Sequence, residues 1–137
     1  VNRFRTADTS VVVPALTDWH EHHRVALAAI GDVRRLPAHV LVETYSVLTR
    51  LPHGLALVPA DASRLLLDAF PEPALTLDAG AHLDLIETLA AAGIRGGQVY
   101  DAVVASTAAR ADAELLTLDS RAISTYRVLR TAFRLVS

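Results

Sequence analysis

The chain has 137 residues, of which 52% are hydrophobic and 20% charged, with a net charge of −2 at neutral pH. That length and balance suit one folded domain spanning 1–137 and exclude a disordered chain; the lack of cysteine excludes disulfides and thiolate chemistry. No apolar run nears the ~18 residues that cross a bilayer, and VNRFRTAD does not read as a signal peptide, so a cytoplasmic location is expected.

In chain order, Phe4 to Ala7 is expected as a short first strand ending at Asp8. Val11 to Leu16 should begin a helix capped by Thr9 or Ser10, with Pro14 tolerable only in its first turn. Trp19 to Ile30 is expected as a second helix stopped by Gly31. Arg35 to Ala38 is a candidate strand weakened by Pro37, which cannot donate to a ladder. A stronger helix runs from about His39 to Leu51, ended by Pro52-His53-Gly54. Ala62 to Phe70 follows as a helix, then Ala74 to Leu77 as a strand. Gly80 to Ala92 is a helix terminated by Gly93. Gln98 to Arg110 is apolar nearly all round and expected to be central. Leu115 to Leu118 is a continuous apolar strand of the parallel-sheet kind, and Phe133 to Val136 is the last candidate strand. Such alternation argues for an α/β domain of three α/β/α layers around a central, mainly parallel sheet of four or five strands.

Four acids stand where a solvated charge is out of place. Asp8 and Asp119 follow expected strands, at the carboxyl edge where open α/β sheets bind ligands. Glu43 interrupts a helix stripe of Val40, Thr44, Val47, Leu48 and Leu51; Asp101 shares a face with Val104, Ala105 and Ala108. Taken singly, each has an ordinary alternative: a helix cap for Asp8 and Asp119, a buried ion pair for Glu43, a first-turn acid for Asp101. Taken together they map to one rim of the sheet. Carboxylates crowded by a fold repel one another and are relieved by a hard dication.

At these residues the chain resembles the PIN-domain ribonucleases, and most of all the VapC-type toxins. The likeness is nearly full length and rests on four segments in order: Asp8-Thr9-Ser10-Val11, Glu43 within Val42-Glu43-Thr44-Tyr45-Ser46-Val47-Leu48, Asp101-Ala102 heading Val103-Val104-Ala105, and Leu115-Leu116-Thr117-Leu118-Asp119. The resemblance implies a metal-dependent endoribonuclease in which Asp8, Glu43, Asp101 and Asp119 hold one or two Mg²⁺ or Mn²⁺ ions. It implies that Thr9 or Thr117 orients a water by its hydroxyl. It also implies RNA as substrate, a homodimer, and inhibition by a cognate VapB-type antitoxin. Asp119 is the preferred proton acceptor for the attacking water.

All thirteen cations are arginine, which suits phosphate but follows equally from a codon bias towards Ala, Arg, Leu and Val. Arg50, Arg95, Arg110 and Arg121 are the candidates to meet RNA phosphates. Trp19-His20-Glu21-His22-His23 invites a metal reading, but its simpler role is an exposed helix start, and His39, His53 and His82 take ordinary helix-boundary or surface positions. Two rivals remain. A phosphatase with Asp8 as covalent nucleophile would want a second acid two residues on, where Ser10 stands. A degenerate module that only binds RNA or protein would not need all four acids.

Overall fold

The computed structural model describes residues 4–137. Among these residues three strands form one sheet in the order β1-β2-β3: β1 (Arg5–Ala7), β2 (Glu114–Thr117) and β3 (Phe133–Leu135). Both pairings are parallel, with Ala7 opposite Leu116 and Leu116 opposite Arg134. Parallel strands need crossovers, and the helices supply them. Between β1 and β2 run α1 (Thr9–Leu16), α2 (His23–Ala29), α3 (Ala38–Thr49), α4 (Pro59–Ala69), α5 (Ala79–Ala92) and α6 (Gln98–Arg110). A short 3-10 turn at Ser120–Ala122 and α7 (Ile123–Val128) join β2 to β3.

The sheet is narrower than the four or five strands expected. Where Arg35 to Ala38 and Ala74 to Leu77 were to be strands, there is a single parallel bridge between Pro37 and Leu75. Pro37 has no N–H to extend a ladder, so Leu75 N–H reaches the Leu36 carbonyl, Ala38 N–H reaches the Leu75 carbonyl, and pairing stops.

The N-terminal helices also differ from expectation. Asp8, rather than Thr9 or Ser10, caps α1 by accepting from Ser10 N–H. That start leaves Pro14 in the second turn, where the helix forfeits one backbone bond two residues before it ends. The second helix begins at His23, because Thr17 to His22 close turns on themselves: His20 N–H donates to the Thr17 carbonyl and His23 N–H to the His20 carbonyl. Gly93 ends α5 in the left-handed conformation at φ 70°, where a side chain would be strained. α6 has the bounds its sequence suggests.

Val11, Val12, Leu36, Val40, Leu48, Val104, Leu115 and Leu116 form the main core, and Leu85, Leu89 and Ala102 a smaller one between α5 and α6. β2 is central and almost wholly buried, so its carboxyl end is a rigid platform for whatever follows it. No helix among the described residues is long and apolar enough to cross a membrane.

Candidate active site

Asp8 leaves β1 with its own N–H still bonded to the Leu116 carbonyl, so its position is tied to the sheet. Its side chain is 6% exposed. Ser10 donates to Oδ1 through both its N–H and its hydroxyl, and Tyr126 Oη donates to Oδ2 at 2.6 Å. Burial pushes the Asp8 carboxyl up from its ordinary value, while the bonds from Ser10, Thr117 and Tyr126 pull the other way. Burial, with the charges of Asp8 and Asp101, pushes the Tyr126 phenol up, so it stays protonated as a donor.

Glu43 projects from the second turn of α3 and accepts a hydrogen bond from the Thr9 hydroxyl. Asp101 lies in the first turn of α6. Its carboxyl is raised from 3.8 to about 6, first by burial and then by the charges of Asp119, Asp8 and Glu43, with Arg121 opposing. Among the described residues no hydrogen bond reaches that carboxyl. Asp119 stands two residues past β2, its N–H held by Thr117 Oγ1 at 3.0 Å and its Oδ1 accepting from Arg121 N–H at 3.0 Å.

The four acids line one cleft of about 250 Å³, together with Thr9, Ser10, His39, Tyr100, Val104 and Tyr126. Asp8 and Asp119 come from the ends of adjacent parallel strands, and Glu43 and Asp101 from the first two turns of helices that pack together. The Asp8, Glu43 and Asp119 oxygens accept hydrogen bonds from Ser10, Tyr126, Thr9 and Arg121, while Asp101 accepts none among the described residues. No three His, Asp or Glu among the described residues are gathered tightly enough to form a ready-made ion cage. The donors are carboxylate and hydroxyl oxygens, the chemistry that Mg²⁺ and Mn²⁺ prefer over softer metals.

Several placements depart from the sequence reading. Thr117 is fully buried and does not line the cleft; its hydroxyl is engaged with Asp119 N–H and lies 3.3 Å from Ser10 Oγ. Thr9 spends its hydroxyl on Glu43. Thr9 thereby sets the Glu43 carboxylate, and Thr117 sets the backbone that carries Asp119. His39 is not an ordinary boundary residue, because the first turn of α3 faces α6. Its ring stacks on Tyr100 at 5.4 Å and 8°, and its buried Nε2 has no hydrogen-bond partner, standing 3.6 Å from Glu43 Oε2. Ser10 and Tyr126 were missed as site residues. Ser10 had a local signal in its place two residues after Asp8, whereas Tyr126 reaches Asp8 across 118 positions and left none. Of the four candidate arginines, Arg110 pairs with Asp84 and Arg50 lies along Ser46, while Arg121 lines a groove adjoining the cleft.

A family model described as PIN domain matches residues 6–128. Ribonuclease VapC40 of Mycobacterium tuberculosis is 44% identical over 130 residues, covering 95% of this chain and 97% of that protein. Ribonuclease VapC27 of the same organism is 48% identical over 120 residues, 87% of each chain. Among solved structures, Mycobacterium tuberculosis VapC20, described as a sarcin-ricin loop cleaving toxin, superposes with a TM-score of 0.66 at 19% identity, covering 87% of this chain and 92% of that one. At that identity the likeness is one of fold.

Proposed function

This chain belongs to the PIN-domain family, and from that premise we propose that it is a VapC-type toxin, an endoribonuclease that cuts RNA with the help of Mg²⁺ or Mn²⁺. The observation that carries the proposal is the convergence of Asp8, Glu43, Asp101 and Asp119 on one cleft from four separate elements. Nearly full-length relatives named as VapC ribonucleases support the substrate class.

Asp8, Glu43, Asp101 and Asp119 would hold the cation, which when bound activates water near neutral pH and offsets charge building on the scissile phosphate. The remaining work belongs to the chain. Ser10 and Tyr126 fix the Asp8 carboxylate from both sides, and Thr9 does the same for Glu43. Asp101, whose carboxyl accepts no hydrogen bond among the described residues, is better placed than Asp119 to take a proton from the attacking water. Asp119 already gives Oδ1 to Arg121. A covalent role for Asp8 is disfavoured, since it is buried and both oxygens are occupied.

The partners follow from the same family reading: a cognate VapB-type antitoxin and a second copy of this chain. Val42, Leu83 and Ile86 are exposed apolar residues that such interfaces would cover.

Incubating the purified chain with total RNA and Mn²⁺ tests the proposal. Cleavage is expected with Mn²⁺ and none when a chelator is added. Equal cleavage in chelator would remove the metal from the reaction, and intact RNA under both conditions would remove the nuclease.

A further inference from the structure

The loop between α1 and α2 carries the chain's single tryptophan. Trp19 is 48% exposed and takes no part in the core. Its ring lies 5.9 Å from that of His20, and His20 lies 5.6 Å from His22, at interplanar angles of 34° and 38°. The three rings form an open fan. Its backbone is already set by the two turn bonds at His20 and His23, and His22 N–H donates to His20 Nδ1 at 3.0 Å. Since that nitrogen accepts, His20 carries its ring proton on Nε2, which remains a donor. His23 Nδ1 pins the loop to the Pro14 carbonyl at 2.8 Å. A loop backbone held this way loses little entropy when a ligand settles on its rings.

His20 and His22 line a groove with Arg121, and that groove shares Thr9, Ser10 and Asp119 with the carboxylate cleft. We propose that the Trp19–His20–His22 fan is a subsite for an unpaired nucleobase of the RNA, adjoining the scissile phosphate, with Arg121 meeting a neighbouring phosphate. This rests on the ribonuclease reading and adds to it a place where the substrate is gripped. Exposed rings stack on any base face, and imidazole and guanidinium groups add hydrogen bonds and charge. The Arg121 side chain is 93% exposed and pairs with Asp119 Oδ1 through Nε at 3.5 Å, which leaves its terminal guanidinium nitrogens to meet a phosphate that the acidic cleft alone would repel. A metal is a poor occupant, because His20 Nδ1 is already used within the loop. The groove floor includes Val13, Pro14, Val47 and Leu118, but its rim carries His20, His22, Asp119 and Arg121, with Glu21 beside His22, a charged and imidazole-rich border suited to a nucleotide.

Because Trp19 is the sole indole, its emission reports directly on the subsite. The test titrates Asp101→Asn protein, which leaves RNA uncut, with a fluorescein-labelled single-stranded RNA of mixed sequence, about ten nucleotides long. Saturable quenching of Trp19, with the same midpoint as the anisotropy of the label, is expected. Adding Trp19→Ala or Trp19→Leu should weaken the anisotropy midpoint about tenfold, and Trp19→Phe should restore most of it. A merely apolar contact surface would be kept by leucine, so Trp19→Leu binding like the parent would overturn the subsite and favour a protein contact. RNA that binds without quenching, and with equal affinity to Trp19→Ala, would overturn the subsite while leaving the ribonuclease intact. RNA that fails to bind at all, together with total RNA left whole by the wild-type chain and Mn²⁺, would overturn both.

Discussion

Asp101→Asn is expected to lower RNA cleavage by at least about a hundredfold and, unusually for a site mutation, to raise the melting temperature at neutral pH. The activity loss follows from removing a carboxylate from the metal-holding set, a larger change than the losses of about 10- to 100-fold seen when groups behind such ligands are altered. The stability gain follows from the sign of the titration. Asp101 in the folded chain keeps its proton up to about 6, above its ordinary 3.8. Between those values the folded state binds a proton that the unfolded state has lost, so stability falls as pH rises through that window. Above it, the charged group is a standing cost, set by burial and by Asp119, Asp8 and Glu43. Asparagine keeps the shape and removes the charge. The gain over wild type, measured by thermal melts in chelator, should be largest near pH 7.5 and shrink below about pH 4. A variant that melts lower than wild type at neutral pH would deny that repulsion, and one that cleaves at the wild-type rate would remove Asp101 from the site.

The second large effect is expected at Ser10, a residue with no charge. Its hydroxyl donates to Asp8 and accepts Leu118 N–H at 2.8 Å, joining the ends of β1 and β2 at the rim of the cleft. Ser10→Ala takes a donor from a buried carboxylate and leaves a backbone N–H unmatched. Each loss is of the kind that costs about 1–3 kcal/mol. Freed of one restraint, Asp8 should hold a cation less well, lowering cleavage by about 10- to 100-fold. Because Ser10 positions Asp8 rather than reacting, excess Mn²⁺ should recover part of the rate. A wild-type melting curve and wild-type kinetics would show that the hydroxyl is dispensable. A rate loss that no concentration of Mn²⁺ relieves would place Ser10 in the chemistry itself.

Much of this was legible in the residues, for reasons of local physics. The bounds of α6 could be read because Ala- and Val-rich helix residues run unbroken from the Gly96-Gly97 turn to Arg110. Glu43 and Asp101 could be read as cleft residues because each interrupts an apolar helix face, and a fold tolerates that only with a reason. The missing pieces depend on contacts far apart in the chain. Tyr126 looks like an ordinary core aromatic until α7 brings it to Asp8. His39 looks like a helix boundary until α6 sets Tyr100 against its ring. The unformed outer strands and the late start of α2 have a nearer cause: Pro37 removes one donor, and the turns at His20 and His23 use carbonyls that an earlier helix would have needed.

Calorimetric titration of the wild-type chain with Mn²⁺, at a series of pH values from about 5 to about 8, tests the cooperation of the four carboxylates most directly. A proton and a dication compete for the same oxygens, so affinity should rise with pH through about 6, where Asp101 titrates. Affinity that is flat across that range, or no measurable binding at its upper end, would contradict the account.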